Sequence, residues 1–105
     1  MFTGSLVFDV LLGDVHSLKE KRAVVRPVVA ELRRRYAVSA AEVGDADLHR
    51  RAQIGVAVVA SDARQVTDVL DACERLVADR PELVLLSASR QLTSESDQDT
   101  PLGPP

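Results

Sequence analysis

The chain has no tryptophan, one cysteine and three aromatic side chains, Phe2, Phe8 and Tyr36. A lone Cys73 excludes an internal disulfide and any metal site built on several thiolates. With so few aromatics there is little to stack single-stranded bases on, and valine, alanine and leucine must fill the core. No apolar run approaches the roughly 20 residues that span a membrane. The N-terminal stretch MFTGSLVFDVLLG carries Asp9 inside its apolar part and no basic segment before it, unlike a secretory signal. A cytoplasmic protein is expected. There is no Walker loop, no dinucleotide fingerprint and no nucleophile elbow.

What is present fits one domain: 105 residues, 46% of them apolar. The net charge of −3 argues against a protein that coats nucleic acid wholesale. The charge is polarised, however. Ser17 to Arg35 holds seven basic residues against Glu20 and Glu31, whereas acids gather from Asp62 to Glu82 and again at Glu95, Asp97 and Asp99.

Phe2 to Leu12 alternates, with Phe2, Leu6, Phe8, Val10 and Leu12 on one side, which predicts a strand with one buried face. Gly13-Asp14 ends it. Ser17 and Glu20 form a capping-box pattern that starts a helix. Leu18, Val25, Val28, Val29, Leu32 and Tyr36 give that helix its apolar stripe, and Arg33, Arg34 and Arg35 close it. Pro27 removes one helical hydrogen bond. One helix kinked near Ala23 is expected, with two short helices as the alternative.

Val38 to Val43 reads as an edge strand, Gln53 to Ala60 as a central strand apolar on both faces, and Glu82 to Ser89 as the last strand. Asp62 and Gln65 cap a second helix, whose stripe is Val66, Val69, Leu70, Cys73, Leu76 and Val77. The domain is placed at residues 1–91. Residues 92–105 are polar, acidic and proline-containing, and are read as a disordered tail.

The order β-α-β-β-α-β with two amphipathic helices predicts an α+β, ferredoxin-like sandwich: a four-stranded antiparallel sheet with both helices on one face. The bare sheet face would show Val7, Leu11, Ala57 and Val59 among polar residues, so a homodimer through that face is expected.

HSLKEKR after the first strand, the arginine-rich helix that follows, and the run AEVGDADLHRRAQIGVAVVASD resemble the YlxP-like bacterial proteins, domain of unknown function family 503. The likeness covers about Phe2 to Arg90. It implies a ferredoxin-like fold and a small cytoplasmic protein whose gene often lies near translation factors and a ribosome-binding factor. It supplies no activity and no catalytic residue. Two departures from the pattern are the absence of a tryptophan near His49 and the presence of Pro27 where a helix former is usual.

Cations in the first helical turn oppose the macrodipole by about 0.3–1 kcal/mol each, so Lys19, Lys21 and Arg22 call for a reason. At 100° per residue, Lys19, Arg22, Arg26 and Arg33 fall within about 60° of one another and form a stripe beside the buried face. Lys19, Lys21, Arg22, Arg26 and Arg33 are therefore the candidate anion-binding residues, for the phosphates of a structured RNA or a ribosomal subunit. The competing reading is a solvated face with glutamate pairing.

Two other readings stand beside it. The acidic second helix, through Asp68, Asp71 and Glu74, is a candidate dock for a basic protein. The loop holding Glu42, Asp45, Asp47 and His49 is a candidate enzyme site, although its spacing matches no metal motif. His16 could orient a ligand, while Cys73 sits on an apolar stripe with no basic neighbour, as a core thiol does. The expectation is a non-enzymatic module with no cofactor and no metal.

Overall fold

A computed structural model describes residues 1–94. The elements are β1 (Phe2–Leu12), α1 (Leu18–Arg35), β2 (Ser39–Gly44), β3 (Arg51–Ala60), α2 (Ala63–Ala78) and β4 (Leu83–Ser94). The strands form one sheet in the order β2-β3-β1-β4, with every neighbouring pair antiparallel. This is the ferredoxin-like sandwich, with the first and third strands central.

The even-numbered residues of β1 explain the layering. Leu6, Phe8, Val10 and Leu12 are fully buried and join Ile54, Val56 and Val58 of β3. Val25, Val28 and Leu32 of α1 and Val66, Leu70, Cys73 and Val77 of α2 complete a single core. Both helices thus lie on the same face. Gly4 belongs to that face: a Cβ there would overlap Val66 Cγ1, so the missing side chain lets α2 approach β1 closely.

Both helix starts are capped as the sequence predicts. Ser17 Oγ accepts from the Glu20 amide at 3.1 Å, and Asp62 Oδ1 accepts from the Gln65 amide at 2.7 Å. The Glu20 carboxylate reaches back to the amide of His16, at 2.6 Å. α1 runs unbroken through Pro27, so the two-helix alternative does not hold. Pro27 and Ala23 are both exposed, so the helical bond that Pro27 cannot donate is lost on the solvent side of α1.

Three strands depart from expectation. β2 is shifted by one residue. β3 begins at Arg51, because Arg51 pairs with Leu11 and reaches Asp9. β4 continues to Ser94, five residues past the expected end, because β1 offers it an unpaired edge down to Phe2. The domain therefore includes residues 92–94, where the sequence pattern places the start of the tail. The rest of the expected tail, 95–105, lies outside the described residues.

Candidate functional site

Lys21 must be removed from the basic surface. It is 2% exposed. Its Nζ donates to the carbonyl of Asp45 at 2.6 Å and to that of Leu48 at 2.8 Å, and lies 2.9 Å from Glu42 Oε2. Three N–H groups meet three acceptors, so nothing is left for an outside phosphate. The ammonium ties the β2–β3 turn to α1, and with it Asp45, whose φ of 59° is left-handed. Sequence offered a signal for this. On a helical wheel Lys21 falls inside the buried arc of Leu18, Val25, Val28 and Leu32, about 60° from Leu18 and between Leu32 and Val28. Grouping it with its neighbours by charge obscured that position.

The stripe itself is assembled in part. Arg22, Arg26 and Arg33 line a groove of about 470 Å³ between α1 and the edge strand β2. Val25, Val29 and Ala30 form its α1 wall, and Ala41 and Glu42 come from the strand. Arg22 and Arg26 are exposed and have no hydrogen-bond or ion-pair partner among the described residues. Arg33 donates from Nε to the carbonyl of Ala40, at 2.9 Å, which leaves its Nη groups facing outward without a partner among those residues. Glu42, the one acid on the lining, is held by Lys21. Lys19 is exposed but stands outside the lining.

The remaining helix cations are engaged. Glu31 receives Arg34 at 3.7 Å, Arg35 at 3.5 Å and Arg80 from the α2–β4 connection. Arg35 also lies 5.7 Å from the centre of the Tyr36 ring. Glutamate pairing thus describes the C-terminal end of α1, whereas Arg22 and Arg26 stand exposed without it among the described residues.

The rival sites are less complete. On α2, Asp71 and Glu74 are occupied by Arg90 of β4, at 2.8 and 3.3 Å, leaving Asp68 as the exposed acid of the proposed trio. In the β2–β3 loop, Glu42 is bound to Lys21 and the carbonyl of Asp45 is used by the same ammonium. Among the described residues no group of three or more histidine, cysteine, aspartate or glutamate side chains could hold a metal ion. His16 and His49 do meet at one open depression with Asp47. His16 Nε2 contacts Asp14 at 2.7 Å, and both side chains are largely exposed. Cys73 is fully buried, and burial pushes its thiol up to about 11. It is protonated and unreactive at neutral pH. No helix among the described residues is long and apolar enough to cross a membrane.

Comparison with known proteins places this geometry in a family. The family described as "Protein of unknown function (DUF503)" matches residues 3–90. The chain belongs to it. A curated relative, "Uncharacterized protein YlxP" of Bacillus subtilis (strain 168), is 31% identical over 75 residues, covering 71% of this chain and 82% of that protein. Among solved structures, a de novo designed protein with ferredoxin fold, determined by solution NMR, aligns with a TM-score of 0.52 at 15% identity, over 90% of this chain and 88% of that one. That likeness supports the fold alone. For DUF503 the family description carries no activity, so the site must be argued from its own chemistry.

Proposed function

We propose that this DUF503 protein is a non-catalytic cytoplasmic module that grips the phosphate backbone of a structured RNA, in a ribosomal particle or its precursor, through the α1–β2 groove. The observation that carries this reading is the pair Arg22 and Arg26: exposed, one turn apart, and without a protein partner among the described residues. Arg22 stands just past the first turn of α1, where a cation gains nothing from the helix dipole. Free guanidinium forks match phosphate oxygens bidentately, and Arg33 adds two outward Nη groups at the other end of the groove. Lys19 extends the positive field toward the helix start.

The groove lining contains no aromatic residue. Recognition is therefore led by backbone and shape rather than by stacked bases. The translation context rests on the family resemblance. The acidic-helix reading loses support, because Arg90 already occupies Asp71 and Glu74.

The test is sedimentation of the tagged protein with isolated ribosomal subunits at rising salt. Binding should weaken with log salt by about 0.7–0.9 per phosphate contacted. Arg22→Gln with Arg26→Gln should reduce that slope by up to about two. Co-sedimentation that is equal for parent and double variant at every salt concentration would overturn the proposal.

A further inference from the structure

We propose that the open face of the sheet is covered by the same face of a second copy of this chain, with Val59 of each copy seated in the hollow beside Gly55 of the other. This does not rest on the RNA reading: it uses the face opposite the helices, and Ala41 of edge strand β2 is the one residue that borders both surfaces.

The charge on the face favours a copy of itself. Within the four strands, the charged side chains that point away from the helices are Asp9 and Arg51. They neutralise each other: Arg51 Nη2 lies 2.6 Å from Asp9 Oδ2 and Nε lies 3.3 Å from Oδ1. A nucleic acid finds no free cation there, and a charged protein finds no complement. A two-fold axis sets like beside like, which a charged face resists and a neutral one accepts.

The apolar content fits as well. Val59 is 64% exposed, and Val43, at the rim of the overlap described below, is 56% exposed. About an axis over Ala57, residues within about three of Ala57, Ser5 and Gln91 face the other copy, an overlap of about 19 by 22 Å, or roughly 420 Å² per partner. That is about half of a standard interface, so the fit of Val59 and not area alone must hold it.

The relief is self-complementary. Val59 is the most exposed of the large apolar side chains in the four strands. Further along the face lies a hollow of about 320 Å³ walled by Ser5, Ser39, Ala41, Gly55 and Ala57. Gly55 shapes it: a Cβ there would come within 2.9 Å of Val43 Cγ1. Val59 and Gly55 are four residues apart on β3, about 13 Å, with Ala57 midway. A two-fold axis passing over Ala57, across the strand, carries each Val59 onto the other copy's hollow and brings the two Ala57 residues face to face. Sheets packed in this way keep their strands within about 30° of each other.

Analytical ultracentrifugation of the full chain at micromolar concentration should report a dimer. Val59→Asp should raise its dissociation constant by about 100-fold, because each copy would bury an unpaired carboxylate. Ala57→Cys should be joined into a covalent dimer by a short bis-maleimide, whereas the parent, whose Cys73 is buried, should not. A parent that is monomeric at 100-fold higher concentration overturns the proposal. So does a dimer that persists in Val59→Asp and leaves Ala57→Cys unlinked. If Val59→Asp fails to fold, linkage of Ala57→Cys decides between the same two outcomes.

Discussion

Glu42 Oε2 lies 2.9 Å from Lys21 Nζ, joining the bulged edge strand β2 to the first turns of α1. This contact explains a cation at the wrong end of a helix. Lys21 tolerates the dipole because Glu42 and the carbonyls of Asp45 and Leu48 surround its charge. Lys21→Met keeps most of the apolar stem but leaves those acceptors without their shared donor. The expected loss is about 3 kcal/mol, at the low end for breaking a buried pair because Glu42 remains near solvent. Urea unfolding measures it. A loss below about 0.5 kcal/mol would show that the ammonium is dispensable.

Arg22 and Arg26 should behave in the opposite way. Neither has a protein partner among the described residues, so changing both to Gln should alter stability by no more than about 0.5 kcal/mol. Thermal denaturation beside the salt-dependent binding measurement separates the two classes of cation on one helix. An early melt of the double variant would mean that the pair supports the fold.

Pro27 marks a position where the helix is not optimised. α1 continues through it, and the residue is exposed. Pro27→Ala restores an N–H aimed at the Ala23 carbonyl. The gain in helix propensity, about 3 kcal/mol, is offset by the greater freedom of the unfolded chain, roughly 1 kcal/mol. Net stabilisation of about 1–2 kcal/mol is expected in urea unfolding. A destabilised variant would mean that Pro27 makes packing contacts that its exposure does not reveal.

The fold was legible in the sequence wherever periodicity and caps agreed. β1 showed its period of two, α2 its period of 3.6, and Ser17 and Asp62 marked both helix starts. The expected end of β4 at Ser89 falls short because Arg90, Gln91, Thr93 and Ser94 resemble a solvated tail, although Gln91 and Thr93 alternate with Arg90 and Leu92 as an edge strand should. The ion pairs of Arg90 with α2 depend on that register and could not be seen without it. At the candidate site, azimuth on the helix grouped Lys19, Arg22, Arg26 and Arg33, of which the groove gathers the three arginines. It would also have separated Lys21, had position outweighed charge. The cage of carbonyls around Lys21 comes from a turn 24 and 27 residues away, and no local pattern reports that distance.

Cys73 supplies the last prediction, on pH. Its thiol titrates near 11 in the folded chain, against 9.0 for the unperturbed group, because burial disfavours the thiolate. Below pH 9 both states keep the proton, and this residue contributes no pH dependence. Between pH 9 and 11 the unfolded chain loses its proton while the folded one retains it. The unfolded state then binds fewer protons, so stability falls as pH rises. The loss attributable to Cys73 approaches about 2–3 kcal/mol by pH 11. Cys73→Ala removes that slope while costing some packing at neutral pH. Unfolding free energies of parent and variant at pH 8 and pH 10.5 should therefore converge at the higher pH. The same burial predicts that a thiol reagent modifies the native protein only as fast as the core opens, and the unfolded chain at once. Rapid modification of the native chain at pH 8, without unfolding, would place Cys73 outside the core and remove the basis of the pH prediction.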